Sequence, residues 1–213
     1  MKNTNTNDAT IRPIITELET MFDELNTKLF DGELEHPVIT VSPDTTKGAY
    51  GWFTLWRAWT DDDNEDAKAT TGYYELNVCA EHLQRPIGDV VGTLLHEMVH
   101  LYNKQHGVSD TSRGGWYHNE KYRKAAEAHG LTVTKEDKYG WCRTALNEDM
   151  QKWLTERGTG RFDLHRRAIP KKQRKTAKSH SIKYQCPCCG NSVRATKPVS
   201  IRCEDCDCMM DIA

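Results

Sequence analysis

The apolar positions of this chain fall into a few stretches of clear period. From residue 11 to 31, Ile14, Ile15, Leu18, Met21, Phe22, Leu25 and Leu29 recur at three- and four-residue steps, the stripe of an amphipathic helix. Asp31-Gly32 follows, and glycine suits the left-handed turn that ends a helix. HPVITVSP, a β-branched run between prolines, predicts a strand. After a turn at Lys47-Gly48, AYGWFTLWRAWT alternates, is rich in aromatics and predicts a second strand. A third is expected over Tyr73 to Cys79. From Ile87 to about Gln105, Ile87, Val90, Val91, Leu94, Leu95, Met98 and Leu101 return to helical spacing, behind Pro86 near a first helical turn. Gly107 to Gly115 predicts a loop, residues 118–129 a third helix closed by Gly130, and Leu146 to Glu156 a fourth.

Between these elements lie polar stretches. DDDNEDAKATTG, residues 61–72, lacks the spaced ligands of a calcium loop and is expected to be a solvated tip. Residues 158–183 are polar and basic and predict a linker, and a cysteine-rich module begins at Tyr184. The expected organisation is therefore a body over 1–157, a linker over 158–183 and a module over 184–213.

Composition sharpens this picture. Hydrophobic residues make up 37% of the 213 and charged residues 28%, as in soluble globular proteins. No apolar run approaches the ~20 residues that span a bilayer, so no membrane partner is expected. The first residues, MKNTNTNDAT, lack the apolar stretch of a secretory signal, which leads to a cytoplasmic reading. In that compartment thiols stay reduced, so clustered cysteines point to metal rather than disulfides. The net charge of −2 conceals an asymmetry: residues 1–160 carry −9 and residues 161–213 carry +7. A basic tail on an acidic body suggests a polyanionic partner.

The chemistry concentrates in TLLHEMVHLYNKQHG, residues 93–107. Four residues turn an α-helix by ~400°, so His96 and His100 project from one face, a turn apart, and both can reach one ion. Glu97 is rotated ~100° from His96 and suits proton transfer with a water activated by that ion. This is the pattern of a zinc peptidase, in which the glutamate is general base and later returns the proton to the leaving amine. A third ligand is needed. His106 lies at the end of the same helix, six positions on, at a poor angle, while Glu127 and His129 fall late in the next helix. His118 and Glu120, after the SRGGWYH loop, both remain open.

HEMVHLYN followed by GGWYHNEKYRKAAEAHGL resembles the SprT-like zinc metalloproteases, to which Spartan also belongs. LFDGELEHPVITV and YYELNV resemble the same family, and the likeness extends over roughly residues 11–210. It implies an α+β, zincin-like fold with a small sheet packed on the HExxH helix. It also implies His118 as third zinc ligand and a protein substrate bound to or crosslinked with DNA. The acidic stretch at 61–66 departs from the family pattern. Tyr117 and Tyr122, beside the third-ligand region, suit either core packing or contact with a developing oxyanion.

In the tail, Cys186/Cys189 and Cys203/Cys206 form two C-x2-C knuckles separated by 13 residues, a spacing that predicts a structural zinc held by four thiolates in a zinc ribbon. Cys188 and Cys208 leave one-residue gaps, too short for a knuckle, and are expected to be free thiols. A ribbon so short depends on its zinc to fold. Arg166, Arg167, Lys171, Lys172, Arg174 and Lys175 of the linker are the expected phosphate contacts. The reading is thus a protease with one catalytic and one structural zinc. The rival is a nucleic-acid-binding zinc-ribbon adaptor whose zincin domain does not cleave.

Overall fold

A computed structural model describes residues 10–44, 48–61, 71–160, 162, 164–167 and 181–213. The chain forms two compact units, residues 1–168 and 169–213. The architecture is α+β, with small sheets and, among the described residues, four α-helices. No described helix is long and apolar enough to cross a membrane.

In the first unit, α1 (Arg12–Leu29) starts with proline in its first turn and buries Ile14, Leu18, Met21, Phe22 and Leu25, the predicted stripe. Its exit is fixed by a buried side chain. Asn26 Nδ2 donates to the Leu34 carbonyl at 3.0 Å and its Oδ1 accepts from the Leu34 N–H at 3.1 Å. The chain returns as β1 (Val38–Ser42), then β2 (Gly51–Phe53) and β3 (Glu75–Cys79). These make a sheet of order β1-β3-β2, with β1 parallel and β2 antiparallel to β3. The strand expected over residues 49–60 is therefore much shorter. Beyond Phe53 the chain leaves the ladder, with one bridge from Trp59 to Tyr73, and Leu55 and Trp56 stand exposed. Aromatic alternation there marks a surface rather than a pleat. Lys47 and most of the acidic stretch at 61–66, from Asp62 on, lie outside the described residues.

A single 3-10 turn (Ala80–His82) leads to α2 (Ile87–Gln105). This helix is mostly buried, with Val90, Val91, Leu94, Leu95, Met98, Val99 and Leu101 in the core. Helices that bury most faces form the centre of a domain. Four strands then appear. They are β4 (Thr111–Ser112), β5 (Tyr117–His118), β6 (Leu131–Glu136) and β7 (Gly140–Leu146), in the order β4-β5-β7-β6. Between them α3 (Glu120–Ala128) is capped by Asn119, whose side chain accepts from the Lys121 and Tyr122 amides. The β6–β7 hairpin is a feature to which the sequence reading assigns no element. It lies over α2 and decides where the site's later residues go.

The last helix, α4 (Glu148–Arg157), is capped by Asn147, buries Met150 and Leu154 and ends at Gly158. Arg157 ties it to α1, through Glu17 Oε1 at 2.6 Å and through Glu24. The body continues beyond residue 157. Phe162 and Leu164 pack on the core, and the Arg166 N–H donates to the Ala80 carbonyl at 3.0 Å.

The second unit contains β8 (Ile182–Gln185), β9 (Ser192–Ala195), β10 (Arg202–Cys203), β11 (Cys208–Met209) and β12 (Asp211–Ile212). One sheet has the order β12-β8-β9 and the other is the β10–β11 hairpin. Tyr184 is buried, and its hydroxyl oxygen accepts from the Val199 N–H at 3.1 Å.

Candidate metal centres

Three imidazoles converge beside α2. His96 Nε2 and His100 Nε2 each lie 3.1 Å from His118 Nε2. The first two come from one helical face, as four-residue spacing requires. His118 arrives on β5, one step before the N-cap of α3, and not within a helix as expected from the sequence. The β5 strand is pinned on both sides, by Thr111 of β4 and Gly140 of β7. The His118 N–H donates to the Tyr139 carbonyl at 2.9 Å.

The remaining ring nitrogens show what the cluster is suited to. His100 Nδ1 lies 2.7 Å from Asp110 Oδ2, a carboxylate that also accepts from Asn103 Nδ2 at 3.0 Å. A carboxylate partner puts the proton of His100 on Nδ1 and leaves a lone pair on Nε2. His96 Nδ1 is 3.0 Å from Thr144 Oγ1 on β7. His118 Nδ1 is buried and meets no hydrogen-bond partner among the described residues, so this ring is positioned by its backbone. Lone pairs gathered at one point repel unless a cation stands among them. Tetrahedral zinc with ~2.0–2.1 Å bonds holds its nitrogens ~3.4 Å apart, close to the spacing here. The donor set therefore fits a metal ion.

Burial reinforces this. It holds the pKa of His96 well below the usual histidine value, with the other two rings adding to the effect, and it lowers His118 to about 4. Both are then neutral at physiological pH, the form that binds metal. Burial acts the same way on His100, but the hydrogen bond and charge of Asp110 outweigh it and the net direction is up. Asp110 is itself desolvated, yet its bond to His100 keeps it below the ordinary carboxylate range.

Glu97 is 5% exposed and faces β2. A Cβ placed on Gly51 would sit 3.1 Å from Glu97 Oε1 and 2.8 Å from Thr93 Cγ2, so the absence of a side chain lets β2 run against the carboxylate. Burial pushes Glu97 up to about 7. Tyr122 is fully buried, with its ring 4.7–4.8 Å from all three imidazoles and its hydroxyl donating to the His96 carbonyl at 3.4 Å. It serves as packing for the rings.

The other candidates lie elsewhere. His106 Nδ1 is 2.8 Å from the Tyr102 carbonyl and His129 stacks on Phe30, with centroids 4.3 Å apart. Glu120 and Glu127 both pair with Arg123. Asp110, Thr144 and Gly51 were missed by sequence reasoning. Only the buried placement of Asp110 in a polar loop distinguishes it, and no spacing rule predicts that.

In the second unit the Sγ atoms of Cys186, Cys189, Cys203 and Cys206 lie within 4.8 Å of one another, and Cys189 and Cys203 are 3.7 Å apart. A tetrahedral ion with ~2.3 Å bonds to sulfur separates its ligands by ~3.8 Å. These four could hold a metal. The Cys186 thiol is pulled down to about 6, first by the Cys189 N–H, which approaches its sulfur at 3.5 Å. Of the expected phosphate contacts, Lys171, Lys172, Arg174 and Lys175 lie outside the described residues. Arg166 pairs with Glu81 on the body, and Arg167 is exposed.

Comparison of the chain with family models, curated proteins and solved structures finds no match.

Proposed function

We propose that this protein is a zinc-dependent endopeptidase of SprT-like type, with a zincin-like body and a zinc ribbon. The observation that carries the reading is the meeting of His96, His100 and His118 at one point beside a buried glutamate on the same helix. His96, His100 and His118 would hold the ion. Bound there, zinc supplies Lewis acidity toward water and toward a carbonyl oxygen. Glu97 takes a proton from the attacking water and returns it to the leaving amine. Burial lifts its pKa towards neutrality and a bound cation opposes the lift, which keeps a base suited to both transfers. Asp110 and Thr144 orient two of the rings.

The edge strand β2 supports a polypeptide substrate. Its far side meets no described strand, and it passes directly beside Glu97. An extended segment added there would bring its peptide bonds past the carboxylate. The structural zinc belongs to Cys186, Cys189, Cys203 and Cys206. The basic residues around 166–175 suggest that the proteins cleaved are bound to or crosslinked with DNA.

Glu97→Gln keeps the shape and removes the base. Cleavage of casein, and self-cleavage with single- or double-stranded DNA present, should fall at least ~100-fold while zinc content stays unchanged. Equal rates in the variant and the parent would refute the peptidase mechanism and leave a zinc-bearing nucleic-acid adaptor.

A further inference from the structure

Two cysteines of the tail are unused by the four-thiolate site, and they do not stand apart. Cys188 and Cys208 lie with Cys186 so that all three Sγ atoms are within 4.8 Å of one another, with Cys186 and Cys208 at 3.4 Å. Cys186 thus belongs to two sulfur clusters at once. The sequence has the matching form. One arm reads Cys186-x-Cys188-Cys189 and the other Cys203-x2-Cys206-x-Cys208, each with two cysteines for the first cluster and one more for the second.

The backbone is arranged to aim that extra cysteine inward. Cys203 and Cys208 are direct partners across the β10–β11 ladder, so their side chains share a face. Between Cys206 and Cys208 stands Asp207, a non-glycine residue at φ 53°. A left-handed residue is uncommon, and this one lies in the turn that returns the chain from β10 to β11 and sets Cys208 opposite Cys203. Arg202 holds the turn, with Nε donating to Asp207 Oδ1 at 2.9 Å. On the other arm Cys188, between Cys186 and Cys189, is exposed.

We propose that the tail binds a second thiophilic metal ion, held by Cys188, Cys208 and a shared Cys186 thiolate that bridges it to the ion of the four-cysteine site. Three thiolates suit soft cations of the zinc–cadmium group or copper(I), and the exposed side at Cys188 leaves a position for solvent or an exogenous ligand. Binding forms three sulfur–metal bonds. The protons of the Cys188 and Cys208 thiols pass to the buffer, the bridging sulfur is already a thiolate, and no electron is transferred. The site does not depend on the peptidase reading, but it shares Cys186 with the four-cysteine site and is filled after it.

The test loads the full-length, metal-free chain stepwise with Cd²⁺ and follows the ultraviolet thiolate-to-metal band. The histidine site contributes nothing to that band. Two successive increments are expected. Cys188→Ser and Cys208→Ser should each lose the second and keep the first, so loss of the ribbon's own ion is recognised separately. In the fully loaded parent, Cys188 and Cys208 should be alkylated by iodoacetamide at least ~10-fold more slowly than at one ribbon equivalent. Repeating the titration with Zn²⁺ and with Cu⁺, read by thiol alkylation, tells which ion binds more tightly. A band that saturates after the first increment, or a second increment unchanged in both serine variants, overturns the proposal.

Discussion

Replacing Gly140 by alanine attacks the third histidine through its backbone. Gly140 has φ +72°, and a Cβ built there would lie 2.1 Å from the His118 carbonyl oxygen and 2.8 Å from the nearest Tyr117 ring carbon. An ordinary carbon–oxygen contact is ~3.3 Å, so β5 and β7 must separate by about 1 Å. Metal sites tolerate displacements of ~0.2 Å in a ligand. His118 Nδ1 meets no hydrogen-bond partner among the described residues that would hold the ring when the strand moves. The left-handed alanine costs ~1–2 kcal/mol and the overpacking another ~1–3 kcal/mol. The expected outcome is a stability loss of about 2–5 kcal/mol and zinc at the histidine site held at least ~10–100-fold more weakly. The assay is zinc retained per chain across a chelator series, relative to a His96→Ala chain that keeps only tail-bound zinc. Gly115→Ala is the control. It carries the same kind of strain, at φ +94°, with no atom within 4 Å, and so should lose stability without losing zinc. If Gly140→Ala holds the histidine-site zinc as firmly as the parent, the claim that the β5–β7 pairing positions the third ligand is wrong.

Other consequences follow from the same geometry. Asp110→Ala leaves His100 Nδ1 and Asn103 Nδ2 without their acceptor, and the same chelator series should show affinity down ~10–100-fold with Glu97 untouched. Arg157→Met keeps the apolar stem but breaks the ties from α4 to α1. Because Glu24 is 41% exposed and screened, thermal unfolding should reveal a loss of only about 1–2 kcal/mol, with zinc content unchanged. Substituting glutamine at Lys171, Lys172, Arg174 and Lys175 together should reduce the slope of log affinity for duplex DNA against log salt by up to ~3–4; an unchanged slope would remove these residues from the DNA contact.

The residues legible in advance are those whose relation is local. His96, Glu97 and His100 are related by the turn of one helix, and the burial of α2 follows from its apolar period. The same holds for the stripe on α1 and for the paired knuckles, where two intervening residues bring two sulfurs together. The aromatic run after Gly51 misleads, because a stretch rich in Trp marks a surface as readily as a strand. Spacing alone puts His118 ahead of Glu120 but leaves both open, and the resemblance to a family singles out His118.

The fold separates them physically. Bridging β5 to Gly140 turns His118 inward, while Glu120, two residues on, begins α3 and pairs with Arg123. Thr144 reaches His96 because the β6–β7 hairpin crosses α2, and Asp110 reaches His100 because the loop after α2 folds back. The six-cysteine tail divides in the same way. Spacing selected four sulfurs by the size of a knuckle, whereas a cross-strand pair and a left-handed Asp207 brought Cys208 to Cys186. Sequence by itself determined groups one helical turn or one knuckle apart, because regular backbone geometry converts that spacing into direction. Tertiary structure alone decided the partners that meet across a loop, because strand register and hairpin placement depend on the whole core and not on any short span of residues.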